Sequence, residues 1–236
     1  MVLYLIMSRR NKLQKFAEIL TFPNVYENFD SYPPRLSGID GKEIQMKGQW
    51  NTKHFKNNNP ITLELACGRG EYTVALAEKY PNRNFIGVDI KGARIWKGAK
   101  IALAKKLDNA AFLRTRIELI AAFFEQGEID EIWITFPDPF LRKGKSNRRL
   151  TAPNFLNHYR KILKQDGVMH LKTDEGILSE FTLEILEADK TAKILYQDTD
   201  IYAKPLPMEE LEVKTYYENM HLEKGKTIKY IRFTIN

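Results

Sequence analysis

From Ile61 onward the chain repeats one rhythm: a short apolar run, a glycine or an acid, then apolar positions at helical spacing. The runs predict strands at 62–66, 84–89, 110–114, 129–136, 167–172, 193–197 and 227–234. Between them, helices are predicted near 71–80, 91–106, 118–126, 151–164, 175–188 and 208–223. Such alternation implies a mostly parallel α/β sheet with helices on both faces. Spacing does not set the direction of the last strand.

Ahead of Ile61 the rhythm is missing. Residues 9–20 (RRNKLQKFAEIL) read as a short basic amphipathic helix, and 21–60 carry Pro23, Pro33, Pro34 and Pro60 with little periodicity. The chain therefore divides into a basic helix and extended arm over 1–59, packed on a domain over 60–236. The opening apolar run is six residues long with its positive charges behind it. That fits neither a signal peptide nor a membrane span, which needs about 20 apolar residues. Met7 opens a more typical soluble start. Arg9, Arg10, Lys12 and Lys15 either grip an anion or keep the arm soluble.

The first predicted strand ends in LELACGRGEY, which places Glu64, Gly68 and Gly70 ahead of a helix. Glycine lets the backbone turn sharply and approach a ligand with no Cβ in the way. Nineteen residues past Gly70, Asp89 ends the second strand, where an acid accepts hydrogen bonds from ribose hydroxyls. Nicotinamide-dinucleotide proteins share this pair. Two residues favour S-adenosylmethionine instead. Thr73 stands where the dinucleotide fingerprint wants Gly or Ala, and Glu64 would repel a pyrophosphate but attract an ammonium or sulfonium group. Arg116 and Glu118 follow the third strand, Glu118 being as good a helix N-terminal charge as a ligand contact.

The fourth strand leads into Pro137-Asp138-Pro139 and then a cationic loop of Arg142, Lys143, Lys145, Arg148 and Arg149. Two prolines bracketing one carboxylate forbid regular structure. Asp138 is either a plain turn residue or, since ligands sit beyond the carboxyl ends of parallel strands, part of a site. The loop is either solvated or neutralised by phosphates. Thr151 reads as a helix N-cap before Pro153, and Asp174, after the fifth strand, either caps the next helix or points into the site.

A net charge of +7 and pI near 9.3 lean towards an anionic partner. The single cysteine, Cys67, excludes an intramolecular disulfide and suits a reducing, cytoplasmic setting. His54, His158, His170 and His221 are scattered, so no metal is expected, and neither a G-x-S-x-G elbow nor a P-loop is present. No membrane association is expected, and monomer and homodimer stay open.

Taken together, LELACGRG, GVDIKGAR, WITFPDPF…RRLT, HLKTDEG and VKTYYE resemble the bacterial tRNA (guanine-N7)-methyltransferases, in order from about residue 60 to the end. The resemblance implies a Rossmann-like class I methyltransferase sheet of seven strands with the last antiparallel. It implies methyl transfer from S-adenosylmethionine to guanosine 46 of the tRNA variable loop. By the same resemblance Glu64 and Asp89 bind the donor, and Asp138 lies between donor and guanine. Arg142 and residues 144–149 meet RNA, and Asp174 with Thr215, Tyr216, Tyr217 and Glu218 completes the nucleotide pocket. Three positions depart from the family pattern. Phe140 replaces a frequent tryptophan, KSNRR replaces H-x-K-R-R, and Arg116 stands where an acid or amide usually meets the donor. Arginine accepts no hydrogen bonds, so that contact passes to backbone or Glu118. Competing readings are a same-fold methyltransferase of rRNA, protein or a small molecule, a dehydrogenase, and a non-catalytic RNA-binding relic.

Overall fold

The computed structural model describes residues 11–30 and 32–236; Met7, Arg9 and Arg10 lie outside the described residues. The first helix, α1 (Lys12–Ile19), starts at Asn11, whose side chain accepts from the Gln14 N–H at 2.9 Å while Gln14 returns the bond to the Asn11 N–H at 3.0 Å. The strand β1 (Val25–Glu27) and a π-helical segment, Trp50–Phe55, complete the arm.

The alternating part then runs β2 (Ile61–Leu65), α2 (Glu71–Lys79), β3 (Asn84–Asp89), α3 (Gly92–Ala104), β4 (Ala110–Arg114), β5 (Ile129–Thr135), α4 (Pro153–Arg160) and β6 (Leu163–Thr173). It closes with α5 (Gly176–Ala188), β7 (Ala192–Asp198), α6 (Tyr216–Glu223) and β8 (Lys229–Ile235). The sheet has the order β1-β4-β3-β2-β5-β6-β8-β7. All pairs are parallel except those of β8 with β6 and β7, which are antiparallel. The two strands that carry Glu64 and the Pro-Asp-Pro turn, β2 and β5, are direct neighbours at the point where the strand order reverses.

Successive side chains of a strand point to opposite faces, and each face here has its own core. Ile86, Leu113, Ile132 and Ile134 pack with Phe155, Leu156 and Tyr159 of α4, Leu178 and Leu186 of α5, and Trp50 of the arm. Phe85, Phe112 and Trp133 pack with Tyr72 and Leu76 of α2, Ile95 and Trp96 of α3, and Ile19 of α1.

Several predicted elements are corrected. The sheet has eight strands, not seven, because Val25–Glu27 of the arm adds a parallel edge against Phe112–Arg114. The arm is thus part of the domain's sheet. The helix predicted at 118–126 shrinks to a 3-10 turn, Ile117–Ala122, where the Phe123 carbonyl accepts instead from the Trp50 indole at 2.9 Å. The helix predicted at 208–223 splits into a 3-10 turn, Glu209–Glu212, and α6, with Thr215 capping the second piece. Helix α4 ends at Arg160, and β6 begins at Leu163, earlier than the predicted 167, because Leu163 pairs with Ile129. Thr151 is no cap: Ala152 holds that position, and the Thr151 hydroxyl pairs with that of Thr182 at 2.7 Å.

Candidate active site

A cleft opens at the carboxyl edge of β2 and β5. Its lining comes from three chain segments: Glu64 and residues 66–69 with Glu71, Thr135 with Phe136, and Thr215 with Tyr217, closed by Arg94 from the first turn of α3.

Glu64 sits at the floor. One carboxylate oxygen accepts from the backbone N–H and hydroxyl of Thr73 on α2, the former at 2.9 Å. The other accepts from the Thr135 hydroxyl on β5 at 2.8 Å. Burial raises its pKa to about 7, although these hydrogen bonds to the charged form oppose the rise. Thr73, the residue at the third glycine position, is therefore the partner that Glu64 needs.

Asp89 ends β3 and fixes the glycine turn: its oxygens accept from the Gly68 N–H at 2.9 Å and the Lys91 N–H at 2.7 Å. A carboxylate offers about four lone-pair sites, so acceptor capacity remains. The two glycines differ in purpose. Gly68 has φ +57° with nothing closer than the Ala66 carbonyl oxygen, 4.0 Å from where a Cβ would stand, so a ligand can approach closely. Gly70 has φ +64°, and a Cβ there would run into the Phe112 ring. Its smallness serves close packing against Phe112 of β4 and Gly98 of α3, and Gly70 itself is not among the residues lining the cleft.

Beyond β5 the backbone is strained. Phe136 and Phe140 both have positive φ, 49° and 41°, as does Ala66 (57°) at the end of β2. Left-handed conformations of bulky residues cluster at functional sites, where surrounding structure must hold them. Asp138 lies between the two phenylalanines, exposed, and its Oδ1 accepts from the Phe140 N–H at 3.0 Å. The remaining oxygen has no protein partner among the described residues.

The cationic loop centres on a 3-10 segment, Lys143–Arg148; Arg142 just ahead of it and Lys143, Lys145 and Arg148 within it are exposed. Arg149 is not. It is 5% exposed, donates to the carbonyls of Pro139 and Phe140, and lies 4.5 Å over the Phe181 ring. Its expected role as a free RNA-binding cation is corrected: it is a brace for the Asp138 turn. Arg148 stacks 4.7 Å over Phe140 and stays open to solvent.

The second tyrosine of the Thr215–Glu218 stretch lines the cleft with Thr215, while Tyr216 lies outside it beneath the Arg69 guanidinium, 5.5 Å away. The Tyr216 N–H donates to Glu71 at 2.8 Å, docking α6 on the start of α2. Glu218 is corrected from a substrate contact, because it is fully buried and ion-paired with Lys172 at 2.7 Å. Asp174 neither caps α5, where Glu175 holds that position, nor lines the cleft. Burial alone would raise its pKa, but Lys226 and His221 beside it bring the carboxyl below its ordinary value. Arg116 and Glu118 are both exposed and pair with one another at 3.7 Å at the end of β4, apart from the cleft lining.

Sequence reasoning missed Arg69, Glu71, Arg94, Thr135 and Phe136. Arg69 and Arg94 stood beside recognised features, inside the glycine turn and five residues after Asp89. Among the described residues no group of three metal-ligating side chains occurs, and no helix is long and apolar enough to cross a membrane.

A family model described as "Putative methyltransferase" matches residues 58–231. A tRNA (guanine-N(7)-)-methyltransferase of Christiangramia forsetii is 49% identical over 230 residues, 97% of this chain and 100% of that protein. That of Bacteroides thetaiotaomicron is 46% identical over 226 residues, 96% of this chain and 86% of its own. The chain belongs to the tRNA (guanine-N7)-methyltransferase family. Solved structures share the fold at far lower identity. The 16S rRNA methyltransferase KamB superposes with a TM-score of 0.60 at 12% identity, covering 83% of this chain and 96% of that one. The aminoglycoside-resistance methyltransferase NpmB1 gives 0.57 at 14%, covering 89% and 100%. These neighbours support the Rossmann-like class I sheet, with β1 added at its edge.

Proposed function

We propose that this methyltransferase uses S-adenosylmethionine to methylate N7 of a tRNA guanosine, at position 46 of the variable loop, and works in the cytoplasm. The observation that carries the reading is Asp138: an exposed carboxylate, two residues beyond the cleft wall, on a strained turn braced by Arg149.

The cleft fits such a donor. It carries both signs, Glu64 and Glu71 against Arg69 and Arg94, matching a ligand with sulfonium, ammonium and carboxylate groups and no phosphate. Gly68 leaves room for close approach, and Asp89 keeps acceptor sites for ribose hydroxyls. When bound, the donor supplies a methyl group activated by the positive sulfur.

The rest falls to the protein. Guanine N7 is a lone-pair acceptor with no proton, so no general base is needed to free it. The work is orientation and exclusion of water. Asp138 accepts from the ring N–H or amino group of the guanine and offsets the positive charge that grows on the purine. Arg142, Lys143, Lys145 and Arg148 neutralise phosphates of the tRNA backbone. Thr215 and Tyr217 close the wall opposite β5.

The test is labelled methyl transfer to tRNA that lacks the modification, followed by nucleoside analysis. 7-Methylguanosine lost when guanosine 46 is replaced by adenosine supports the reading; label on another nucleoside, or on rRNA alone, refutes it.

A further inference from the structure

Lys172 of β6 and Glu218 of α6 are both wholly buried, and nothing in the chemistry above uses either. The Lys172 ammonium lies 2.7 Å and 2.9 Å from the two Glu218 oxygens and donates to the Val213 carbonyl at 3.2 Å. The Tyr202 hydroxyl shares the pocket, donating to Glu218 at 2.5 Å, with the Leu211 carbonyl 3.1 Å away. Glu218 in turn reaches the Thr215 N–H at 3.3 Å while Thr215 accepts from the Glu218 N–H at 3.2 Å, closing the capping box of α6.

The main chain of Lys172 points the other way. Lys172 is in register with Thr135, and its carbonyl accepts from the Phe136 N–H at 2.9 Å. One residue thus touches both walls of the cleft. Its backbone holds the end of β5, which leads to Asp138, and its side chain holds the turn that presents Thr215 and Tyr217. A buried ion pair is a poor source of net stability, since an apolar pair of like volume often does as well, whereas a lone buried charge is strongly disfavoured. Folding alone does not call for this pair.

We propose that Lys172 is a positioning residue for the nucleoside: through Glu218 it fixes the first turn of α6 against the end of β5, and Glu218 itself makes no substrate contact. This rests on the reading of the cleft as a tRNA methyltransferase site. It gives Lys172 a role without exposure, so every effect on RNA must travel through α6.

The experiment compares Lys172→Met, Glu218→Gln and the double variant in the full chain, with tRNA kinetics, S-adenosylhomocysteine titration and amide exchange over 213–219. Glutamine preserves the capping box. Each single variant raises the KM for tRNA at least tenfold and, because Thr215 and Tyr217 line the cleft, weakens donor-product binding as well; the double variant recovers both to within threefold of wild type. A merely structural pair would lower the melting temperature and leave KM unmoved, which overturns the proposal. A double variant as defective as Glu218→Gln means direct contact by Glu218 and overturns it too. If a single variant does not fold, the double variant and Tyr202→Phe, expected to raise KM about threefold, decide. If wild type methylates no tRNA, the functional reading fails and amide exchange decides: faster in the singles and restored in the double supports the strut, and unchanged exchange refutes it.

Discussion

Arg149 reaches back ten residues to donate from Nε to the carbonyl of Pro139, 2.9 Å away. A second bond, to the Phe140 carbonyl at 3.2 Å, completes a brace around the turn that carries Asp138. The left-handed phenylalanine at 140 costs on the order of 1–3 kcal/mol and persists only if held. Arg149→Ala is expected to lower kcat at least tenfold while leaving the salt dependence of tRNA binding near wild type. Arg148→Ala should do the reverse, reducing the slope of log affinity against log salt by about 0.7–0.9 with a modest change in kcat. Fluorescence anisotropy at several salt concentrations, beside steady-state kinetics, separates the two.

Donor binding should depend on pH through Glu64. Burial holds its pKa at about 7 in the free protein, and only the ionised carboxylate attracts a cationic donor. Affinity should therefore rise between pH 6 and pH 8, by about tenfold as the ionised fraction grows. Glu64→Gln should flatten the profile. Calorimetric titration at each pH provides the check, and a wild-type profile as flat as the variant's would rule out Glu64 as the controlling group.

The glycines of the turn should separate by position. Gly68→Ala meets nothing closer than the Ala66 carbonyl oxygen at 4.0 Å and costs only a left-handed alanine, about 1–2 kcal/mol. Gly70→Ala adds a clash with the Phe112 ring to the same backbone cost, and about 3 kcal/mol is expected. Urea denaturation measures both. Gly68→Ala should still weaken donor binding more than its small stability loss suggests, because its Cβ enters the approach to the cleft.

His54 should make the arm acid-sensitive. Burial lowers its pKa to about 4, and its Nδ1 lies 2.9 Å from the Tyr26 hydroxyl. The unfolded chain binds a proton between pH 6.5 and 4 that the folded chain refuses, so stability falls as pH drops through that window. The loss approaches about 3 kcal/mol near pH 4. Denaturation of wild type and His54→Gln at pH 7 and pH 4.5 should show a larger acid loss in wild type.

Much of this was legible in the chain, and the gaps have physical causes. Asp89 and Asp138 could be placed because each follows an apolar run, and Glu64 because it interrupts one just ahead of the glycine turn; strand ends converge at one edge of a parallel sheet. The strand at Val25–Glu27 could not be read, because three residues carry no periodicity and its partner, Phe112–Arg114, lies far along the chain. Arg148 and Arg149 are identical in type and adjacent, yet one is solvated and the other buried; only the path of the Pro139–Phe140 backbone distinguishes them. Glu218 read as an acid near a substrate because its partner, Lys172, is 46 residues away. Arg94 was hidden because its place on the cleft depends on the turn of α3 relative to β3, which spacing does not define.

The most direct measurement is single-turnover methyl transfer to tRNA by Asp138→Ala, with S-adenosylhomocysteine affinity measured on the same preparation. Since Asp138 stands beyond the cleft lining, donor-product affinity should stay within about threefold of wild type while the rate falls at least a hundredfold, about 2.7 kcal/mol of lost transition-state stabilisation. A rate near wild type would make Asp138 a turn residue only and contradict its place between donor and guanine.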